Sequence, residues 1–154
     1  MASLFEPTKE KSLYGAFENT ARRNPNKTAL LFLGERFSFR LLREMVLCLA
    51  ASLEQMGLHR EDRAVLYLYN LPQTIIAWLA LQRLGAIPVP VAPIYGAYDL
   101  RYLLNDSGAE TIFCMDSNFN YVDEVLTETP LKRVIYTNML DLVPWWKRAL
   151  SLIH

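Results

Sequence analysis

The stretch Arg63-Ala64-Val65-Leu66-Tyr67-Leu68-Tyr69-Asn70-Leu71-Pro72-Gln73, continuing through Leu84-Gly85-Ala86-Ile87-Pro88-Val89-Pro90-Val91, decides the fold. Residues 64–69 form a short, nearly continuous apolar run, which reads as a strand covered on both faces. Asn70 is a candidate cap, residues 72–84 a helix, and Gly85 its stop. Residues 87–91 are extended, but Pro88 and Pro90 remove amide donors from one side. A central strand tolerates that poorly, so an edge or irregular position is expected. Residues 64–82 carry no charge over nineteen positions. Asn70, Pro72, Gln73 and Thr74 interrupt the middle of that run, where a lipid-exposed span would suffer most. A strand followed by a helix accounts for it, and no transmembrane segment is expected.

Downstream the alternation continues. Residues 99–107 read as a helix ended by Gly108, 111–115 as a strand holding Cys114, 121–128 as a weaker helix, and 133–137 as a strand. Alternating strands and helices imply an α/β fold with a mostly parallel sheet and helices on both faces. Upstream, Leu13, Ala16, Phe17, Thr20 and Ala21 form one helical stripe. Ser12 is its candidate N-cap, Arg22 and Arg23 suit its C-terminal end, and Pro25 stops it. Residues 28–33 and 36–38 read as an N-terminal hairpin turning at Gly34-Glu35. Ser38 then caps a long helix with apolar positions 42, 45, 46, 49, 53 and 56, closed by Gly57.

With 154 residues the chain is one domain, 52% apolar and 21% charged, which excludes intrinsic disorder. Sixteen basic residues balance sixteen acidic ones, so the counterion-displacing excess of a duplex nucleic-acid binder is missing. The two cysteines, Cys48 and Cys114, and the two histidines, His59 and His154, have no zinc-ligand spacing. Both cysteines lie in apolar runs and are expected buried, unpaired and structural, as in a reducing cytoplasm. The first residues, Met1-Ala2-Ser3-Leu4-Phe5-Glu6-Pro7, do not read as a secretory signal. His59 is expected to be solvated. Asp106 with Glu110, and Asp123 with Glu124, are read as helix-surface charges. No two of the six glycines lie closer than eleven positions, so no loop here has the glycine density that cradles phosphates. Residues 139–154 form an apolar and basic tail with Trp145, Trp146, Lys147, Arg148, Leu150, Leu152 and Ile153.

Five motifs in order resemble the adenylate-forming (AMP-forming) acyl-CoA synthetases. Phe17…Ala21…Pro25-Asn26-Lys27-Thr28-Ala29-Leu30 is similar to their opening. Phe37-Ser38-Phe39-Arg40-Leu41-Leu42 resembles their first core motif, an aromatic-Ser/Thr-aromatic turn entering a helix. Glu61-Asp62-Arg63-Ala64-Val65 with Tyr69-Asn70-Leu71-Pro72-Gln73 resembles their first strand and loop. Leu81-Gln82-Arg83-Leu84-Gly85-Ala86-Ile87-Pro88-Val89-Pro90-Val91 resembles the second core motif, with Arg83 and Leu84 where Lys and Ala are common. Asn105-Asp106-Ser107-Gly108-Ala109 also matches. Lys132-Arg133-Val134-Ile135-Tyr136, with Pro144-Trp145-Trp146-Lys147, is most like the bacterial long-chain fatty-acid–CoA ligases.

The resemblance implies an N-terminal part of a ligase that joins a fatty acid to coenzyme A. ATP and the carboxylate give an acyl-adenylate and pyrophosphate, and coenzyme A then takes the acyl group as a thioester. ATP and Mg²⁺ chemistry needs a Ser/Thr/Gly-rich loop, an adenine-contacting acid motif, a ribose-binding Asp and a lysine, all of which lie beyond the matched region in the family. No catalytic residue, metal ligand or cofactor held by this chain alone is therefore expected, and the isolated chain should be inactive. Pro93, Ile94 and Tyr95 are the residues the resemblance brings near the coenzyme A channel. Trp145, Trp146, Lys147 and Arg148 suit either a peripheral membrane contact or packing on the rest of such an enzyme. A homodimer is a further expectation. The alternatives are a non-catalytic binding or oligomerisation module, a peptide-synthetase adenylation domain, or a luciferase-like enzyme.

Overall fold

The Ser12 hydroxyl accepts the Gly15 amide at 3.0 Å and starts α1 (Leu13–Arg23). Arg22 and Arg23 occupy its last turn, against the carbonyl end of the helix dipole. The computed structural model describes residues 12–144. A hairpin follows, β1 (Thr28–Phe32) paired antiparallel with β2 (Glu35–Ser38). Its turn is Leu33-Gly34, one residue earlier than expected, because Glu35 pairs directly with Phe32. Both turn residues have positive φ, 48° and 79°, the twist that a two-residue hairpin loop requires.

Ser38 caps α2 (Phe39–Gln55) by accepting the Leu41 amide at 3.2 Å. Then come β3 (Arg63–Tyr67), α3 (Pro72–Leu84), β4 (Ile87–Pro90), α4 (Ala97–Ser107), β5 (Thr111–Met115), α5 (Phe119–Val125) and β6 (Arg133–Thr137). Single 3-10 turns, Asp116–Asn118 and Leu126–Glu128, flank α5. Asn70 does not cap α3. Leu71 holds the N-cap position without a side-chain bond, and Pro72 supplies a helical φ at the first position. Gly85 and Gly108 end α3 and α4 in left-handed conformations, as their spacing predicts. Helix α4 starts two residues earlier than expected, so Asp99 falls in its first turn, where a carboxylate suits the dipole.

The second sheet has the order β4-β3-β5-β6, and all its pairs are parallel. Its strand side chains alternate between two cores. On one side Leu42, Val46 and Leu53 of α2 and Ile76, Ala77 and Ala80 of α3 meet Ala64, Leu66 and Phe113. On the other side Leu100 and Leu104 of α4 and Val122 and Val125 of α5 meet Val65, Tyr67, Ile112 and Cys114. Each large side chain buried this way contributes about 1.5–3 kcal/mol. Helix α3 is buried on several sides, which explains the charge-free run. No helix among the described residues is long and apolar enough to cross a membrane.

Strand β4 is an edge strand, as its prolines require. Ile87 donates to the Asp62 carbonyl and Val91 to that of Leu66, so alternate residues face β3. The outward positions between them are Pro88 and Pro90, and neither has an N–H to offer.

Cys114 is fully buried and free, with its thiol pushed up to about 11 by burial and then by the Asp116 carboxylate. Cys48 departs from expectation: it is free but exposed. At 100° per residue it lies about 240° round α2 from Leu42, away from the Leu42–Val46–Leu53 stripe. An apolar run in a helix does not bury all of its members.

Two polar clusters join elements. Arg133 donates to the carbonyls of Met56 and Gly57, both at 2.8 Å, and to the Thr111 hydroxyl at 3.2 Å. It ties the end of α2 to β5 and β6. Glu18 of α1 receives Arg43 of α2 at 2.8 Å and Arg22 at 2.7 Å. Arg43 chiefly, then Arg22, hold its carboxyl at about 2 instead of 4.5, against the opposing effect of burial.

Candidate functional site at the carboxyl edge of the sheet

The strand order changes direction between β3 and β5. The connection from β3 runs through α3 on one face, and the connections into β5 and β6 run through α4 and α5 on the other. In an open parallel sheet, ligands bind outside the carboxyl ends of the strands at such a point. A buried amide closes it here. Asn118 accepts the Met115 amide at 2.8 Å and donates to the Tyr67 carbonyl at 3.3 Å, which staples the ends of β3 and β5. Asp116 beside it accepts from the Asn138 side chain beyond β6. Sequence reasoning missed this staple, although an Asn three residues past a strand end is a usable signal.

Residues 93–95 lie at the same edge, just beyond β4. The buried Tyr67 hydroxyl donates to the Tyr95 carbonyl, and burial raises the Tyr67 pKa above its ordinary range. One core side chain therefore fixes this loop. Pro93 lines an open groove of about 490 Å³ together with Tyr69, Asn70, Thr74, Trp78 and Pro90. Ile94 is 83% exposed and Tyr95 41%. The structure thus brings Pro93 to a groove, leaves Ile94 projecting into solvent, and pins Tyr95 by its backbone. The arrangement offers shape, apolar contact and a few polar atoms, the chemistry of a binding wall.

The described glycines form no close phosphate cradle at this edge. Gly57, Gly85 and Gly108, three of the glycines with positive φ, end helices just before β3, β4 and β5, at the amino edge of the sheet. Gly96 is at the carboxyl edge, but a Cβ there would meet nothing within 4 Å, so it forms no close cradle. No His, Cys, Asp or Glu cluster able to hold a metal ion occurs among the described residues.

The carboxylates read as surface charges are largely that. Asp106, Asp123 and Glu124 are exposed, while Glu110 lies beyond the end of α4 and pairs with Lys132. His59 is exposed in the loop before β3, where its amide donates to Asp62 at 2.7 Å. Trp145, Trp146, Lys147 and Arg148 lie outside the described residues.

This fold and edge define an adenylate-forming architecture. The AMP-binding enzyme family matches residues 17–150, and the chain belongs to that family. Within it, the chain is 31% identical over 144 residues to the long-chain-fatty-acid–CoA ligase of Bacillus subtilis, covering 94% of this chain and 26% of that one. It is 36% identical over 136 residues to the corresponding ligase of Salmonella typhimurium, covering 88% and 24%. The structure of a long-chain-fatty-acid–CoA ligase from Archaeoglobus fulgidus superposes with a TM-score of 0.79 at 26% identity, covering 88% of this chain and 28% of that one. The chain spans about a quarter of the length of the curated relatives it matches.

Proposed function

We propose that this chain supplies the N-terminal part of an ATP-dependent fatty acid–CoA ligase and does not catalyse the reaction by itself. In the full reaction a fatty-acid carboxylate oxygen attacks the α-phosphorus of ATP and expels pyrophosphate. The sulfur of coenzyme A then attacks the acyl carbon of the adenylate, loses its proton and expels AMP. Mg²⁺ and cationic groups held by the rest of the enzyme would neutralise the phosphates. This chain contributes the sheet edge that Asn118 and Tyr67 rigidify, and the loop at 93–95 forms part of the wall along which coenzyme A enters. The free thiols of Cys48 and Cys114 suit a reducing cytoplasm.

The observation that carries this reading is identity of 31–36% to fatty-acid ligases over 88–94% of the chain, against about a quarter of their length. A chimera tests it, with residues 1–154 replacing the matching part of the Bacillus subtilis ligase. The chimera is expected to form fatty acyl-CoA, and the chain alone is expected to form none. A chimera that unfolds cooperatively, and is therefore folded, yet makes no acyl-CoA would overturn the assignment. Pro93→Gly and Tyr95→Ala in the chimera should raise KM for coenzyme A more than KM for the fatty acid.

A further inference from the structure

Charge is unevenly placed along this neutral chain. Residues 22–43 carry six basic side chains, Arg22, Arg23, Lys27, Arg36, Arg40 and Arg43, against the single carboxylate of Glu35. Glu18 takes up two of them, Arg22 and Arg43. Arg40 donates to the neutral side-chain amide oxygen of Asn26, which leaves its charge uncompensated. Among the described residues no carboxylate forms an ion pair with Arg23, Lys27, Arg36 or Arg40, and all four are exposed.

The β1–β2 hairpin lies in the middle of this basic stretch and has two unlike faces. Inward, Leu30 and Phe32 pack against the main core and Phe37 is buried. Outward, Leu31 stands opposite Arg36 in the register and is 66% exposed. A solvated strand face ordinarily carries polar side chains at such positions. At the tip, Leu33 is 52% exposed and has a φ of 48°. A large side chain is strained in that conformation, and Asn or Asp before Gly is the ordinary choice for such a turn. The strain is not offset by full burial, so local folding does not account for this leucine. The apolar surface continues from Leu31 into a pocket of about 230 Å³ shared with the start of α3, where Ile75 is 41% exposed.

We propose that the β1–β2 hairpin is a docking surface for an anionic lipid membrane. Leu31 and Leu33 enter the boundary between headgroups and acyl chains, while Arg36, Lys27, Arg40 and Arg23 meet the headgroup phosphates. Charge complementarity selects this occupant, because exposed leucines flanked by unpaired cations match an apolar interior beneath a negative surface. Leu31 and Arg36 are directly opposite, with Cβ atoms about 5 Å apart in such a pair, so one face makes both contacts. A nucleic acid or an acidic protein would engage the cations and leave the leucines without a role.

Co-sedimentation of the 154-residue chain tests this, with vesicles of phosphatidylcholine alone or mixed with phosphatidylglycerol. The parent should partition onto the mixed vesicles in preference to the neutral ones, and raised salt should release most of it. Leu33→Asn is the decisive variant, because Asn suits the turn. Its thermal midpoint should equal or exceed the parent's, while partition falls about tenfold. Arg36→Gln should lower partition about fivefold. A parent chain that stays in the supernatant with mixed vesicles would overturn the proposal, as would Leu33→Asn partitioning like the parent. Self-association without vesicles that Leu33→Asn abolishes would overturn it in favour of a second copy. A Leu33→Asn effect present in the chain and absent from the chimera with the Bacillus subtilis ligase would overturn it in favour of a face that the rest of the enzyme covers.

Discussion

The two edges of the parallel sheet are built differently. On β4 the outward positions are Pro88 and Pro90, so that edge has no outward amide to offer another strand. On β6 the Arg133 amide donates to the Glu110 carbonyl, so residues 133, 135 and 137 face β5 and the outward amides are those of Val134 and Tyr136. Neither is proline, Tyr136 is 68% exposed, and an apolar groove adjoins the strand. The proline edge ends the sheet. Among the described residues, no strand pairs with the outward side of β6, and half-buried apolar side chains lie beside it. The difference shows how two prolines close one edge of a sheet while the opposite edge of the described sheet keeps its donors.

Proline scanning of β6 gives the largest effect. Ile135→Pro removes an inward ladder bond and strands a buried carbonyl, which should cost about 2–4 kcal/mol by urea unfolding. Tyr136→Pro removes only an outward amide and the contact with Phe119, whose ring centroid lies 6.0 Å away. It should cost about 1 kcal/mol. Equal losses at the two positions would break the contrast between inward and outward amides.

A change remote from both edges sharpens the comparison. Glu18→Gln breaks the α1–α2 ion cluster and should cost about 1.5–3 kcal/mol at neutral pH, with no change in association through either edge. The folded carboxyl sits at about 2 against an ordinary 4.5, so its contribution is complete above about 4.5. It fades as pH falls from there toward 2. Unfolding measured between pH 7 and 2 should show parent and variant converging at the acid end.

Restoring the missing amides tests the other edge. Pro88→Val with Pro90→Val should leave the thermal midpoint nearly unchanged and raise the average mass in sedimentation. A double variant as monomeric as the parent would show that proline is not what closes that edge. At the carboxyl edge, Tyr67→Phe frees the Tyr95 carbonyl. It should cost about 1 kcal/mol and speed proteolysis at residues 93–95.

The punctuation of the fold was legible in the sequence because the residues involved leave the backbone few choices. Pro88 and Pro90 announced an edge, Ser12 and Ser38 two N-caps, and Gly85 and Gly108 two helix ends. The misses arose where a property depends on tertiary neighbours. Cys48 sits among apolar residues but on the wrong side of α2. Asn70 has a capping side chain, yet it stands one residue before the N-cap position, which Leu71 holds. For the candidate site, the family resemblance named residues 93–95. It did not show that Tyr67, twenty-eight positions from Tyr95, fixes that loop. Nor did it show that Asn118 closes the sheet between β3 and β5. Those contacts join residues far apart in the chain, which periodicity and spacing do not reveal.

Exchange of labelled pyrophosphate into ATP, measured with the purified 154-residue chain and fatty acids of increasing length, tests the central claim most directly. Exchange requires formation and reversal of an acyl-adenylate, and Gly57, Gly85 and Gly108 end helices at the amino edge of the sheet, away from its carboxyl edge. The account predicts no exchange above a protein-free blank from the chain alone, and fatty-acid-dependent exchange from the chimera that joins it to the rest of the Bacillus subtilis ligase. Fatty-acid-dependent exchange by the chain alone would contradict it.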